Sequence, residues 1–156
     1  MDWLLFAVFL AACSAAGTTG AMFEPGAWYR SIAKPRWTPP DWVFPVTWFA
    51  LYICMSLAAT RVAMTPDAGL ALALWSLQIA LNTLWTPIFF GLKRLGAALV
   101  VIVALWLSVA ATLLAFWQID VIAGVLFVPY LVWVSIAGAL NLSVWWMNRG
   151  AVQPAS

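Results

Sequence analysis

Five stretches of this chain, Trp3–Phe23, Val43–Met64, Leu70–Phe90, Leu95–Trp117 and Val121–Trp146, are built almost wholly from apolar residues. Each runs 21 to 26 residues. At about 1.5 Å of rise per residue, a helix of that length crosses the ~30 Å hydrocarbon core of a bilayer. The runs are continuous, whereas a membrane barrel is written as alternating segments of about ten residues. The sequence therefore predicts an all-α integral membrane protein, a single domain over residues 1–156 forming a five-transmembrane-helix bundle. Composition closes off the water-soluble alternative. With 66% hydrophobic and 8% charged residues, the chain cannot coat a globule whose surface normally draws on about a quarter of its residues for charge.

The few charges predict an orientation. Five crossings put Arg30, Lys34, Arg36, Lys93, Arg94 and Arg149 on one side and Arg61 alone on the other. The positive-inside rule then places the N-terminus outside, with the long 24–42 loop and the C-terminus cytoplasmic, in what is expected to be a bacterial inner membrane. Leu10-Ala11-Ala12-Cys13 resembles a lipoprotein cleavage box. A secretory signal opens on positive charge, however, and the only charged side chain before Cys13 is Asp2. The first stretch is expected to stay in place as a helix.

Several chemistries are excluded by residue type. There is no histidine, which removes His-dependent triads and His-bearing metal sites. Cys13 and Cys54 lack the spacing of a redox or metal pair, so no metal site is expected. A net charge of +2 gives no basic stripe for nucleic acid. No conventional catalytic constellation is left. No Asp, Glu, Lys or Arg falls in the middle of any apolar stretch, which argues against an ion-driven pump.

The polar residues at depth are neutral, among them Gln78, Asn82, Thr83, Thr86, Ser108, Thr112, Ser135 and Asn141. Helical spacing puts Gln78, Asn82, Trp85 and Phe89 on one face of the third stretch, Trp48 with Tyr52 on the second, and Trp133 one turn from Ala137 on the fifth. Amide groups beside flat rings and small residues suit a planar apolar ligand. The same pattern also describes aromatic core packing with tryptophans belted at the membrane surfaces. Pro87 and Pro129 each remove an amide donor, freeing the carbonyls of Thr83 and Val125. Ala12-x-x-x-Ala16-x-x-x-Gly20 and Gly69-x-x-x-Ala73 permit close helix approach.

Three motifs, spread over nearly the whole chain, resemble one family. They are Trp28-Tyr29 with Lys34-Pro35-x-Trp37-x-Pro39-Pro40-x-Trp42-Val43 and Trp48-x-x-x-Tyr52; Gln78-x-x-Leu81-Asn82-x-x-Trp85-x-Pro87-x-Phe89-Phe90-Gly91; and Pro129-Tyr130-Leu131-x-Trp133-x-x-x-Ala137-x-x-Leu140-Asn141. Together with the 12 tryptophans, they are similar to the TspO/MBR family of tryptophan-rich sensory and translocator proteins.

The resemblance implies a homodimeric five-helix bundle with a ligand cavity opening toward the first loop. It implies binding of tetrapyrroles such as porphyrin and haem, of hydrophobic drugs and of sterols, with no required cofactor. It also implies a sensory or regulatory role that includes light-dependent breakdown of protoporphyrin IX. The ligand-binding residues carried over are Trp48, Tyr52, Asn82, Trp85, Trp133 and Ala137. Trp48 and Trp133 would have a photochemical role, and Trp28, Arg30, Lys34, Arg36, Trp37 and Trp42 would form the lid. In this expectation a porphyrin lays its face on Trp48 and Trp133 while its propionates reach the basic loop. The family's C-terminal sterol motif has a Tyr that is missing between Leu140 and Arg149, so tetrapyrrole is the better expectation. Transport of tetrapyrroles or cholesterol is the alternative function, although paired half-repeats are lacking. A structural or assembly role is the third.

Overall fold

A computed structural model describes residues 1–23 and 25–150. Five helices are long and apolar enough to cross a membrane, and the chain is an all-α integral membrane protein. They are α1 (Trp3–Met22), α3 (Val43–Ala63), α4 (Gly69–Thr86, continued by a π-helical turn Pro87–Gly91), α5 (Leu95–Ile119) and α6 (Val121–Asn148), with a short α2 (Ala27–Ser31) between the first two.

Two helix starts are fixed by carboxylates, because the first amides of a helix have no intrahelical partner. Asp2 accepts from the amides of Leu4 and Leu5 at 2.9 and 3.1 Å. Asp120, the single residue between α5 and α6, accepts from those of Ile122 and Ala123 at 2.8 and 3.2 Å. Its other oxygen meets Arg61 of α3 at 2.7 Å. Burial pushes the Asp120 carboxyl up, but the Arg61 guanidinium and the two amides outweigh it and hold the group below the usual range.

The helices close into a ring. α1 packs on α3 and α4, α4 on α5, α5 on α6, and α6 back on α3. The α5–α6 contact is the tightest. A Cβ on Gly124 would stand 2.8 Å from the Cα of Trp117, so only glycine lets these backbones approach so closely. Phe116, Phe127 and Tyr130 fill the space beside it, fully buried, with successive ring centroids 5.1 and 5.9 Å apart.

Three features differ from the sequence expectation. The 24–42 segment, read as one long loop, contains α2. Burial of Tyr29 against Phe89 and Phe90 (6.1 and 5.2 Å between centroids) anchors that helix on the bundle. Helix boundaries also move: α5 runs two residues beyond Trp117 and α6 two beyond Trp146. Pro87 does more than free the carbonyl of Thr83. Lacking an N–H, it opens a wider turn in which the amide of Leu92 reaches the carbonyl of Pro87 at 2.8 Å. Lys93, at φ 55°, then ends the helix in the left-handed region. Pro129 by contrast lies within an uninterrupted α6.

The loop is also fastened at its far end. The amide side chain of Asn148 accepts from the backbone N–H of Ala33 at 3.1 Å and donates to the carbonyl of the same residue at 2.9 Å. One side chain thus satisfies both backbone groups of a loop residue, as a neighbouring strand would.

Candidate ligand cavity

At the loop end of the bundle, α1, α3 and α4 separate around a cavity of about 620 Å³. The α1 wall is made of small residues, Ala16, Gly17, Gly20 and Ala21. At Gly17 a Cβ would stand 2.7 Å from Cε2 of Tyr52, so glycine is what lets that ring lie against α1. Facing this thin wall are the rings of Trp48 and Tyr52 on α3 and of Trp85 and Phe90 on α4.

Two of these rings are held from behind. Trp48 lies 5.5 Å from Tyr52 and meets Tyr130 edge-on at 6.0 Å. The Trp85 indole N–H donates to Oδ1 of Asn141 at 3.0 Å, and Nδ2 of Asn141 donates to the Leu95 carbonyl, also at 3.0 Å. The Trp85 ring therefore faces the cavity with its polar atom already satisfied.

Asn82 is different. It is only 5% exposed and lines the cavity, and its Nδ2, although beside the Tyr52 side chain, completes no hydrogen bond of ordinary geometry. A buried donor left unpaired costs on the order of 1–3 kcal/mol, which an acceptor on a ligand or a water molecule would recover. Two further unpaired donors, Nε2 of Gln78 and Nε1 of Trp75, lie deeper on α4. Gln78 is otherwise engaged, its Oε1 accepting from the Tyr130 hydroxyl at 2.8 Å.

Of the six ligand residues carried over from the resemblance, Trp48, Tyr52, Asn82 and Trp85 come together on the cavity wall. Trp133 does not reach it. It is 9% exposed and packs edge-on, 5.5 Å between centroids, against Phe44, which does line the cavity. Ala137 lies half-buried against the same core. The expected lid residues also lie outside the lining. Trp28 packs on Phe89 at 6.2 Å, and Trp37, Trp42, Arg30 and Arg36 are exposed. Lys34 donates to the Tyr29 carbonyl and sits 4.4 Å over the Tyr29 ring.

The loop instead contributes Pro25, Tyr29 and Asp41. The Tyr29 phenol is pushed up by burial and then by the Asp41 carboxylate. Nothing in the loop's pattern of tryptophans and cations marks these three as inward-facing. The α1 wall did carry a signal in its Ala16 and Gly20 spacing, which pointed only to helix approach. Among the described residues no group of three or more His, Cys, Asp or Glu side chains could hold a metal ion.

Comparison with known proteins agrees with this architecture. The family model described as TspO/MBR family matches residues 6–147. A protein from Rhodobacter capsulatus named protein CrtK is 58% identical, the match covering 96% of each chain. A tryptophan-rich sensory protein from Cereibacter sphaeroides is 55% identical over 95% of this chain and 94% of its own. The translocator protein of Homo sapiens is 36% identical over 95% and 92%. With a family match over nearly its whole length and relatives this similar end to end, the chain belongs to the TspO/MBR family.

Proposed function

We propose that the cavity binds a tetrapyrrole and that the protein serves as a membrane sensor or regulator of such ligands. The observation that carries this reading is the flat-walled hollow with one unpaired amide donor, Asn82 Nδ2, inside it. Its volume of about 620 Å³ lies within the ~300–1,000 Å³ of pockets that take small organic ligands. A macrocycle lays its face against the Trp48 indole, and an acceptor atom at its edge meets Asn82. The ligand is cargo rather than a cofactor of folding. The names of the relatives fit a sensory or binding role. In this reading the cavity end faces the cytoplasm across a bacterial inner membrane, which the excess of basic residues at that end supports, and the homodimer implied by the resemblance belongs with it.

The test is a titration of the purified chain with protoporphyrin IX in the dark, followed by the shift of the porphyrin's main absorption band. Trp48→Phe should weaken saturable binding about ten-fold, the loss of ~1.4 kcal/mol of stacking and contact; an unchanged curve removes the slot. Product analysis after illumination in air separates sequestration from light-dependent breakdown, the photochemical role given to Trp48 and, at one remove behind Phe44, to Trp133.

A further inference from the structure

We propose that the bundle holds one water molecule beneath the cavity, accepting from the Gln78 side-chain amide and from the Trp75 indole. The site is separate from the cavity and does not depend on what the cavity binds.

Three buried side-chain donors on α4, those of Trp75, Gln78 and Asn82, complete no hydrogen bond among the described residues. Asn82 lines the cavity and is open to whatever enters it. Trp75 and Gln78 stand outside the lining, at 4% and 0% exposure, so a ligand in the cavity does not reach them. Bare donors at this depth are costly, since the surrounding hydrocarbon offers no acceptor in exchange. Whatever fills the site must be small and must accept.

The spacing fits a single water. Residues three apart on a helix stand about 5–6 Å from each other at Cβ, and a water accepting from two donors at about 2.9 Å each spans a similar distance. The oxygen of Gln78 is already used, because Oε1 accepts from the Tyr130 hydroxyl at 2.8 Å. Both Nε2 hydrogens are left for another acceptor. A buried water makes about three hydrogen bonds, and neighbouring helices supply further polar atoms. Phe9 of α1 packs on Trp75 with 4.9 Å between centroids. One turn along α1 is Cys13, whose sulfur accepts from the Ser56 hydroxyl of α3 at 3.6 Å. Cys13 and Ser56 are fully buried, as Gln78 is.

The water gives Gln78 a second task. By fixing the carboxamide it fixes Tyr130, whose ring backs Trp48 at 6.0 Å, which makes Gln78 a positioning residue for a cavity wall it does not join. A dry arrangement also exists in principle. The Tyr130 hydroxyl can accept as well as donate, so a carboxamide turned end for end would offer its oxygen directly to the Trp75 N–H.

The two arrangements are separated by NMR on the full chain in nanodiscs, with the indole nitrogens labelled and magnetisation transferred from water to the indole hydrogens. The Trp75 signal is identified by its loss in Trp75→Phe. Transfer from water to Trp75 is expected in wild type and in Tyr130→Phe, and its loss is expected in Gln78→Met. No transfer in wild type, or transfer that survives Gln78→Met, overturns the proposal. Should Gln78→Met fail to fold, a wild-type crystal grown in lipidic mesophase decides: a density peak about 2.7–3.2 Å from both nitrogens supports the water, and a direct contact between the Trp75 N–H and Gln78 Oε1 overturns it. Adding protoporphyrin IX should leave the Trp75 transfer unchanged; its disappearance on saturable binding would show the water to belong to the cavity and overturn the separate site. A porphyrin that does not bind counts against the tetrapyrrole reading alone.

Discussion

The two sides of this bundle are made from the same kinds of residue and end up in opposite states. Between α5 and α6, glycine faces backbone and the rings of Phe116, Phe127 and Tyr130 leave no gap. Between α1, α3 and α4, rings of similar size face a wall of alanine and glycine, and a hollow remains. Aromatic content therefore does not decide whether a membrane helix pair is solid or open. What decides it is the size of the residues opposite. Gly124 is closed off by Trp117, and on α1 Gly17 is closed off by the Tyr52 ring, but one turn on, at Gly20, nothing stands within 4 Å of where a Cβ would be, and there the hollow remains.

The contrast can be broken most forcefully on the solid side. Phe127→Ala should cost about 3–5 kcal/mol, as a fully buried ring replaced by a cavity does, read as thermal unfolding in detergent. A cost near that of an exposed site would mean the packed half is not packed. Gly124→Ala should cost about 1–3 kcal/mol, since its Cβ meets backbone that cannot rotate away. On the hollow side, Trp85→Phe should cost ~1 kcal/mol by leaving Asn141 Oδ1 unpaired.

Asn82→Leu sharpens the comparison further because its two readouts should diverge. Stability should stay the same or rise by ~1 kcal/mol as an unpaired donor disappears, while porphyrin affinity falls about ten-fold. If stability instead fell along with affinity, Asn82 would be a structural residue.

The smallest effect is expected far from the cavity. The Asp120 carboxyl is held below its ordinary range in the folded chain, so its contribution is complete above the unfolded value, about pH 4. It is lost as pH drops through the lower folded value. Acid destabilisation below about pH 4 should therefore be smaller in Asp120→Asn than in wild type; identical acid limbs would show that the Arg61 pair adds nothing.

The five crossings were legible because length and apolarity suffice to specify them. Trp48, Tyr52, Asn82 and Trp85 were legible because helical spacing puts each pair on one face, and those faces do turn to a common hollow. Trp133 was not, since spacing along α6 cannot reveal that Phe44, from another helix, stands in front of it. The α2 helix leaves no signature in the sequence because five residues carry too little periodicity, and its anchor is Tyr29 packing on the distant Phe89.

The grip of Asn148 on Ala33 ties the last turn of α6 to the entrance segment more than a hundred positions earlier. The end of α6 is thereby a latch for the doorway. Fraying of that final turn would release the Ala33 side of the doorway while Tyr29, packed on Phe89 and Phe90, still holds the other.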